Sequence, residues 1–356
     1  MSPSASTTGS ILIVRLGAMG DVLHAMPAVS ALRRALPEAH LGWAIERRWV
    51  ELLKSADDGL ATCGERHLVN SIHVVDTHMW RKHPLHASTM QDIRTVIGCI
   101  RAEKFELAID LQGAGKSALV AKFSHARSIY GFSHPREQLA TLVYSTKVDT
   151  HTPHVIDQNL ELCSAAVRQA LTAGEFDLPR SPEGERWCEE SLKELAVSKF
   201  AILNPGSGWG AKCWPAERYA EVARVLQRIG TMSIVNYGPG EEDLANSVAK
   251  LSEGAARAVF ATIPQLIALT RRAGLFIGGD TGPLHLAAAL KVPVVALFGP
   301  TDPARNGPYG TRSVILRSDR SVTSYSHVAA PDPGLQSVTV GEVVGAAAQL
   351  LGVTIG

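Results

Sequence analysis

Residues 278–285 run Gly278, Gly279, Asp280, Thr281, Gly282, Pro283, Leu284, His285, a set of side chains suited to holding an anion. The apolar residues 275–277 just before them read as a short buried strand, which ends where two glycines let the backbone turn sharply. A helix is expected next, with Asp280 or Thr281 capping its free N–H groups and Pro283 in its first turn, where a missing amide hydrogen costs nothing. Leu284, Ala287 and Ala288 give that helix a buried face, and residues 292–298 supply the following strand of a parallel strand–helix–strand unit. Unpaired N–H groups and the positive end of a helix dipole, set at the C-terminal edge of a strand, favour a phosphate. Thr281, the Gly282 amide and His285 all fall in or beside that first turn. The plainer reading of the same residues is a tight turn that binds nothing.

Four other groups have the chemistry to work with it. Asp21 follows the turn Gly17, Ala18, Met19, Gly20, after the apolar strand 11–16 and at the start of a helix that carries Val22, Met26, Val29, Leu32 and Leu36 on one face. A carboxylate is thereby placed at the sheet edge where open α/β sheets bind ligands, or it serves only as a partner for the helix dipole. The turn is no dinucleotide fingerprint, because Arg15 stands where that motif needs its first glycine. The strand 200–203 leads into a loop of small residues in which Ser207 and Gly208 allow close backbone approach to an anion and Lys212 brings the compensating charge. The strand 232–237 leads to Glu241 and Glu242, either of which is placed to accept ribose hydroxyls. After the strand 105–111 come Gln112 and, in a Gly-Lys-Ser run, Lys116; Asp110 stands where a phosphate-binding Walker loop begins with glycine, so that motif is excluded, and Gln112 and Lys116 remain candidates to line a cleft.

These groups need a scaffold, and the chain has length for one. With 356 residues, 46% of them hydrophobic, it can bury a large core and is too long for one typical domain. The strand–loop–helix alternation runs twice. It predicts a tail over residues 1–10, an N-terminal Rossmann-like domain over 11–172 that ends in a helix over 155–171, a Pro/Gly-rich linker over 173–186, and a C-terminal Rossmann-like domain over 187–356. Strands are expected at 41–45, ending on Glu46, and at 72–75. Trp80, Arg81, Lys82 and His83 then form a short cationic loop that either meets an anionic substrate or stays solvated. A formal net charge of +1 argues against broad nucleic-acid binding. Five cysteines without a C-x-x-C pair fit reduced thiols in a cytosolic protein. No signal core, no run of about 18 apolar residues and no amphipathic basic helix stands out. His24, His151 and His154 lack metal-site spacing.

Taken together, the stretch from Arg15 through Asp21 to His24, the Lys212-x-Trp214-Pro215 loop and the stretch from Gly279 to His285 resemble the ADP-heptose:lipopolysaccharide heptosyltransferases, glycosyltransferase family 9. Residues 43–46, 80–82 and 111–117 are most similar to the heptosyltransferase I branch. The resemblance implies a GT-B fold, two Rossmann-like doubly wound domains facing a central cleft, with acceptor on the first and nucleotide sugar on the second. It implies transfer of heptose from ADP-heptose to the Kdo of the lipid A inner core, with Asp21 as general base. Ser207, Gly208, Lys212, one of Glu241 and Glu242, Asp280, Thr281, Gly282 and His285 would hold the donor, and Gly20, Arg81, Lys82, Gln112 and Lys116 the acceptor. Ser207 and Gly208 stand where some members carry two threonines, and Cys213 where histidine or arginine is usual. No cofactor is expected, and no metal, since the chain has no D-x-D triplet. The enzyme is expected to act as a cytoplasmic monomer that touches the inner face of the membrane transiently. A related transferase with another acceptor, a nucleotide-sugar epimerase of the same shape and a silent nucleotide-binding module are the competing readings.

Overall fold

The computed structural model describes residues 9–55, 59–60, 62–63, 66–324 and 330–354. Two compact units divide between Pro179 and Arg180. In the first, strands β1 (Ser10–Val14), β2 (His40–Glu46), β3 (Ser71–Val75), β4 (Leu107–Asp110), β5 (Ser128–Phe132) and β6 (Thr146–Val148) form one sheet in the order β6-β5-β4-β1-β2-β3, every pair parallel. Helices α1 (Met19–Ala35), α2 (Thr77–Lys82), α3 (Ala87–Ala102), α4 (Gly115–Phe123) and α5 (Val155–Val167) are interspersed with these strands, with 3₁₀ turns, among the described residues, in place of an α-helix between β2 and β3 and between β5 and β6.

Parallel strands covered on both faces must be apolar on both, and β1 is buried from Ile11 to Val14. Leu12 and Val14 pack with Ala44, Val75, Ile100, Phe105, Ala108, Val120 and Ala121, the layer that includes α3 and α4. On α1 and α5, which pack on each other, the Asn159 side-chain amide donates to the His24 carbonyl at 3.0 Å.

The second unit repeats the plan. Strands β7 (Phe200–Asn204), β8 (Met232–Tyr237), β9 (Ala256–Phe260), β10 (Leu275–Gly279), β11 (Val294–Phe298) and β12 (Ser313–Arg317) are ordered β9-β8-β7-β10-β11-β12, again all parallel. Its helices are α6 (Pro182–Glu194), α7 (Ala216–Arg228), α8 (Glu242–Leu251), α9 (Ile263–Arg272), α10 (Gly282–Ala289), α11 (Pro303–Asn306), α12 (Pro333–Ser337) and α13 (Val340–Leu351). Side-chain alternation sorts the core into two layers. Ala201, Leu203, Leu275, Ile277, Val295 and Leu297 pack with residues of α7, α8 and α13. Phe200, Ile202, Phe276, Val294, Ala296 and Phe298 pack with residues of α6, α9 and α10.

Each unit therefore has the strand order 3-2-1-4-5-6, and its order reverses between the first and fourth strands. Ligands of doubly wound sheets bind at that reversal, because the loops leaving the two neighbouring strands diverge and open a crevice. In the first unit the reversal lies between β1 and β4, with Val14 beside Asp110. In the second it lies between β7 and β10, with Asn204 beside Gly278.

Four expectations change. Of the expected tail, residues 1–8 lie outside the described residues, while the Gly9 amide donates to Glu106 Oε2 at 3.0 Å and Ser10 opens β1. Residues 182–186, assigned to the linker, are helical: the Ser181 hydroxyl accepts from the Gly184 amide at 3.1 Å and Pro182 occupies the first turn. The helix expected over 155–171 stops at Val167 because Arg168 turns left-handed, with φ 53°. Arg81 and Lys82 lie on α2 rather than in a loop; the Asp76 carboxylate caps that helix by accepting from the Met79 amide at 3.1 Å, and the two basic residues fall in its last turn, the favourable end of the dipole.

The buried Asp110 carboxylate ties the end of β4 to its loop. It accepts from the amides of Gln112 and Gly113 at 2.9 and 3.1 Å, from Ser117 Oγ at 2.9 Å and from the Tyr144 hydroxyl at 2.7 Å. Burial pushes its pKa up against the pull of those donors. Replacing Tyr144 with phenylalanine removes one donor and should cost about 1–2 kcal/mol. The check is the urea midpoint of unfolding; an unchanged midpoint would mean that the Tyr144 bond contributes nothing net.

Candidate active site

At the reversal of the first sheet, β1 ends and the turn into α1 presents Asp21. Both of its carboxylate oxygens are held: Oδ2 accepts from the Ala18 amide at 3.0 Å, and Oδ1 pairs with Arg15 Nη2 at 2.8 Å. Arg15 is itself buried, and it is fixed through Nη1, which donates to the Leu111 carbonyl across the reversal. The Trp43 indole donates to the Arg15 carbonyl at 3.1 Å, and Gln112 Oε1 accepts from the Leu16 amide at 2.8 Å. The β1 and β4 loops are thus stitched together around one half-exposed carboxylate. Gly20 lies buried in the first turn of α1.

Lys116, in the first turn of α4, reaches Glu46 Oε1 at 3.3 Å and Thr77 Oγ1 at 3.2 Å, and the Thr77 hydroxyl donates to the same Glu46 oxygen. Lys116 therefore joins the end of β2 to the start of α2, the helix that carries Arg81 and Lys82 at its exposed far end. The Trp80 indole donates to Asp92 Oδ2 at 2.7 Å and pins α2 to α3. Gln112 and Lys116 serve first as ties within the unit. Their side chains hold backbone and carboxylate partners that spacing alone does not reveal.

The second reversal gathers the residues read as anion-binding. Lys212 Nζ lies 2.6 Å from Asp280 Oδ2 and 3.1 Å from the Asp280 carbonyl, and it stands 4.9 Å over the Trp209 ring. His285 Nε2 lies 3.0 Å from the other carboxylate oxygen, Oδ1. Burial alone would raise the Asp280 carboxyl; the hydrogen bond and charge of His285, and then those of Lys212, outweigh it and hold the carboxyl well below its usual range. A Cβ on Gly279 would come within 2.9 Å of the Lys212 carbonyl, so the glycine is what lets the two loops touch.

Neither residue expected to cap α10 does so. Asp280 is spent on Lys212 and His285, and the Thr281 hydroxyl, at the cap position, donates to the Gly279 carbonyl at 3.2 Å. Among the described residues no side chain caps the first turn of α10, which suits its N–H groups to an anion from outside. The lysine ammonium has three donors, and Asp280 engages two of them.

Beside this lies the loop after β7. The Asn204 amide donates to the Gly206 carbonyl at 3.0 Å and accepts from Asn236 at 3.0 Å, while Ser207 Oγ accepts from the Trp209 amide at 3.2 Å. Gly208 faces open space. Glu241 and Glu242, indistinguishable in sequence, separate here. Glu241 accepts from the Gly238 amide at 2.9 Å and lies so close to Gly206 that a Cβ there would run into its carboxyl, whereas Glu242 is exposed on the first turn of α8. Arg15, Asn204, Asn236 and Trp209 were not singled out in sequence. Of these, Asn204 had a signal, a polar residue ending an apolar strand before Pro-Gly; Arg15 stood out as a missing glycine and as the start of the stretch that carries the resemblance, with no role of its own.

With this geometry in view, the chain can be compared with known proteins. Residues 93–330 match glycosyltransferase family 9 (heptosyltransferase). The chain belongs to that family. Lipopolysaccharide heptosyltransferase 1 of Escherichia coli K12 is 28% identical over 320 residues, spanning 87% of this chain and 94% of that protein. Lipopolysaccharide heptosyltransferase 3 of the same strain is 26% identical over 301 residues, spanning 80% of each. The structure of E. coli heptosyltransferase WaaC with ADP superposes with a TM-score of 0.77 at 24% identity, covering 96% of this chain and 99% of that one. The two doubly wound units are thus those of a GT-B glycosyltransferase, and this family 9 member is a transferase.

The Asp280 cluster makes a pH-dependent contribution to stability. Its depressed pKa gives stabilisation that is fully present above the unfolded value of about 3.9 and is lost as pH falls through that value toward the folded one. Asp280→Asn should cost about 3 kcal/mol at pH 7, because it strands the partly buried Lys212, and the gap to wild type should begin to narrow only below about pH 4. Denaturant midpoints of both proteins across that range check it; a gap independent of pH would refute the assignment.

Proposed function

We propose that the enzyme transfers heptose from ADP-heptose to the Kdo of a lipid A-linked inner core, with inversion at the anomeric carbon. The observation that carries this reading is the uncapped N-terminus of α10 beside Lys212, an anion site at the second reversal, matched by a carboxylate fixed at the first. The high coverage of relatives named heptosyltransferase 1 supports the choice of acceptor.

In this reading Asp21 takes the proton of the attacking acceptor hydroxyl, the new bond forms to the anomeric carbon, and ADP departs with the electron pair. Arg15 and the Ala18 amide hold the carboxylate in one orientation, so no reorganisation is needed at that moment. The charge gathering on the leaving diphosphate falls to the third donor of Lys212, the Thr281 and Gly282 amides and the Ser207 hydroxyl, with Gly208 leaving room for close approach. His285 and Asp280 keep the lysine in place. Glu241, beside the phosphate loop, takes the ribose hydroxyls in preference to Glu242. Arg81 and Lys82, in the last turn of α2, meet the carboxylates and phosphates of the acceptor.

The same arrangement supports transfer without a metal, since a lysine and a helix terminus do the work of a divalent ion on the diphosphate. Among the described residues, no three His, Cys, Asp or Glu side chains are grouped to hold one. Nor is any helix of these residues long and apolar enough to cross a membrane. The reading places the enzyme in the cytoplasm as a monomer that visits the inner membrane face.

Incubation of the purified protein with ADP-heptose and Kdo2-lipid A should give a heptosylated product, in EDTA as well as in magnesium. Asp21→Asn should lower kcat by about 10²–10⁴-fold while the donor affinity, measured by calorimetry, stays within about twofold. Product only with a heptose-bearing core would shift the assignment to a family 9 transferase with another acceptor, heptosyltransferase II-like. Conversion of the sugar nucleotide with no acceptor would make it an epimerase, and activity abolished by EDTA and restored by magnesium would overturn the metal-free step.

A further inference from the structure

We propose that α4 and the 3₁₀ turn Gln138–Leu142 of the first unit form a docking face for an anionic phospholipid surface, an inference that rests on the lipid-linked acceptor assigned above. The inner side of α4 is spent on the core through Ala118, Val120 and Ala121. Its outer side carries Leu119 and Phe123, spaced i, i+4 and so on one face, and follows Lys116, whose ammonium turns to Glu46 and Thr77. Leu119 is 50% exposed and Phe123 46%. The neighbouring 3₁₀ turn packs on the same helix through Ala118, Ala140 and Tyr144, and presents Leu139 and Leu142, 75% and 79% exposed. Residues three apart eclipse in a 3₁₀ turn, so these two leucines project together. Scattered apolar side chains on a surface need no explanation, but four large ones on two adjoining elements mark a contact site.

Charge selects the occupant. Residues 115–149 hold five lysines and arginines against two carboxylates, and four of the five remain besides Lys116, which pairs with Glu46, in a chain whose net charge is only +1. One of those two carboxylates, Glu137, is turned onto the N-terminus of α4, where it accepts from the Gly115 amide at 2.8 Å. Lys122 and Arg136 are both exposed. Apolar side chains set among basic ones suit the interface of an anionic bilayer, where the first enter the headgroup boundary and the second meet phosphates. The position of the face agrees. It begins just past Lys116, itself next to the β4 loop that carries Gln112, and runs away from that loop down α4, so a sugar presented to the loop keeps its lipid anchor on the side where the leucines lie. No single helix shows this face in the sequence, because a short helix and a separate turn each supply half of it.

The test uses the full chain and vesicles free of acceptor, so that binding is read independently of transfer. Wild type should float with phosphatidylcholine vesicles that contain phosphatidylglycerol, less so at high salt, and poorly with phosphatidylcholine alone. The double variant Leu139→Glu/Leu142→Glu should bind the anionic vesicles at least ~10-fold more weakly, keep its melting temperature and its rate on a soluble deacylated acceptor, and lose about as much rate on acceptor embedded in vesicles. Lys122→Glu should weaken vesicle binding in the same direction. Wild type that stays unbound, or a double variant that binds as wild type does, overturns the proposal. So does self-association of wild type abolished in the variant, which would assign the face to a second copy of the chain. Failure of wild type to transfer to either acceptor would instead sink the assigned reaction and leave the vesicle result standing.

Discussion

Two side-by-side strand pairs, β1 with β4 and β7 with β10, set the terms for everything else in this chain. In a parallel sheet each connection must cross over one face, and where the crossing direction reverses, the two departing loops part company and leave backbone that no neighbouring strand can satisfy. That unsatisfied edge is filled differently in the two units. In the first it is closed by side chains that reach across, Arg15 to the Leu111 carbonyl and Gln112 to the Leu16 amide. In the second it stays open at the start of α10, where the ammonium of Lys212 is brought near on the Asp280 carboxylate. A carboxylate held still and an anion site left unfilled are two outcomes of one topological fact.

The electrostatics of the second unit show why the open site does not collapse. A lysine at the mouth of an anion site tends either to swing into solvent or to pair with any available acid and neutralise the site. Asp280 meets both risks: its two oxygens divide between Lys212 and His285, and its carbonyl takes a further lysine proton. The carboxylate holds the ammonium by charge, and the Trp209 ring, 4.9 Å away, adds a cation–π contact. Such a buried pair adds little net stability, because desolvation offsets most of the attraction; its value lies in fixing where the charge points.

Much of this was legible in the sequence. Strand–turn–helix alternation placed every strand of both sheets that borders a candidate loop, and it put Asp21 in the first helical turn because the apolar spacing from Val22 to Leu36 admits no other register. Lys212 and the 280–285 stretch were marked by residue type in a glycine-rich setting. What the sequence hid were side-chain partners across long separations. Whether Glu241 or Glu242 faces the loop depends on contact with Gly206, 35 positions earlier, and no local pattern encodes it. Arg81 and Lys82 looked like loop because the six residues of α2 are too few to show a period; the helix exists through the Asp76 cap and its packing on α3. Asp280 looked like a cap because a short acid before a helix usually is one, and only the nearness of Lys212 and His285 diverts it.

The hold on Asp21 has a consequence for how this protein can drift. Of the links that fix the carboxylate, two end on main-chain atoms, the Ala18 amide and, through Arg15, the carbonyl of residue 111. A carbonyl is supplied by any amino acid and an amide N–H by any but proline, so the codons for positions 18 and 111 are under little pressure from this duty and are at liberty to wander with the packing around them. Among the side chains, the heritable burden of aiming the acid falls on Arg15, the residue that pairs with Asp21 Oδ1.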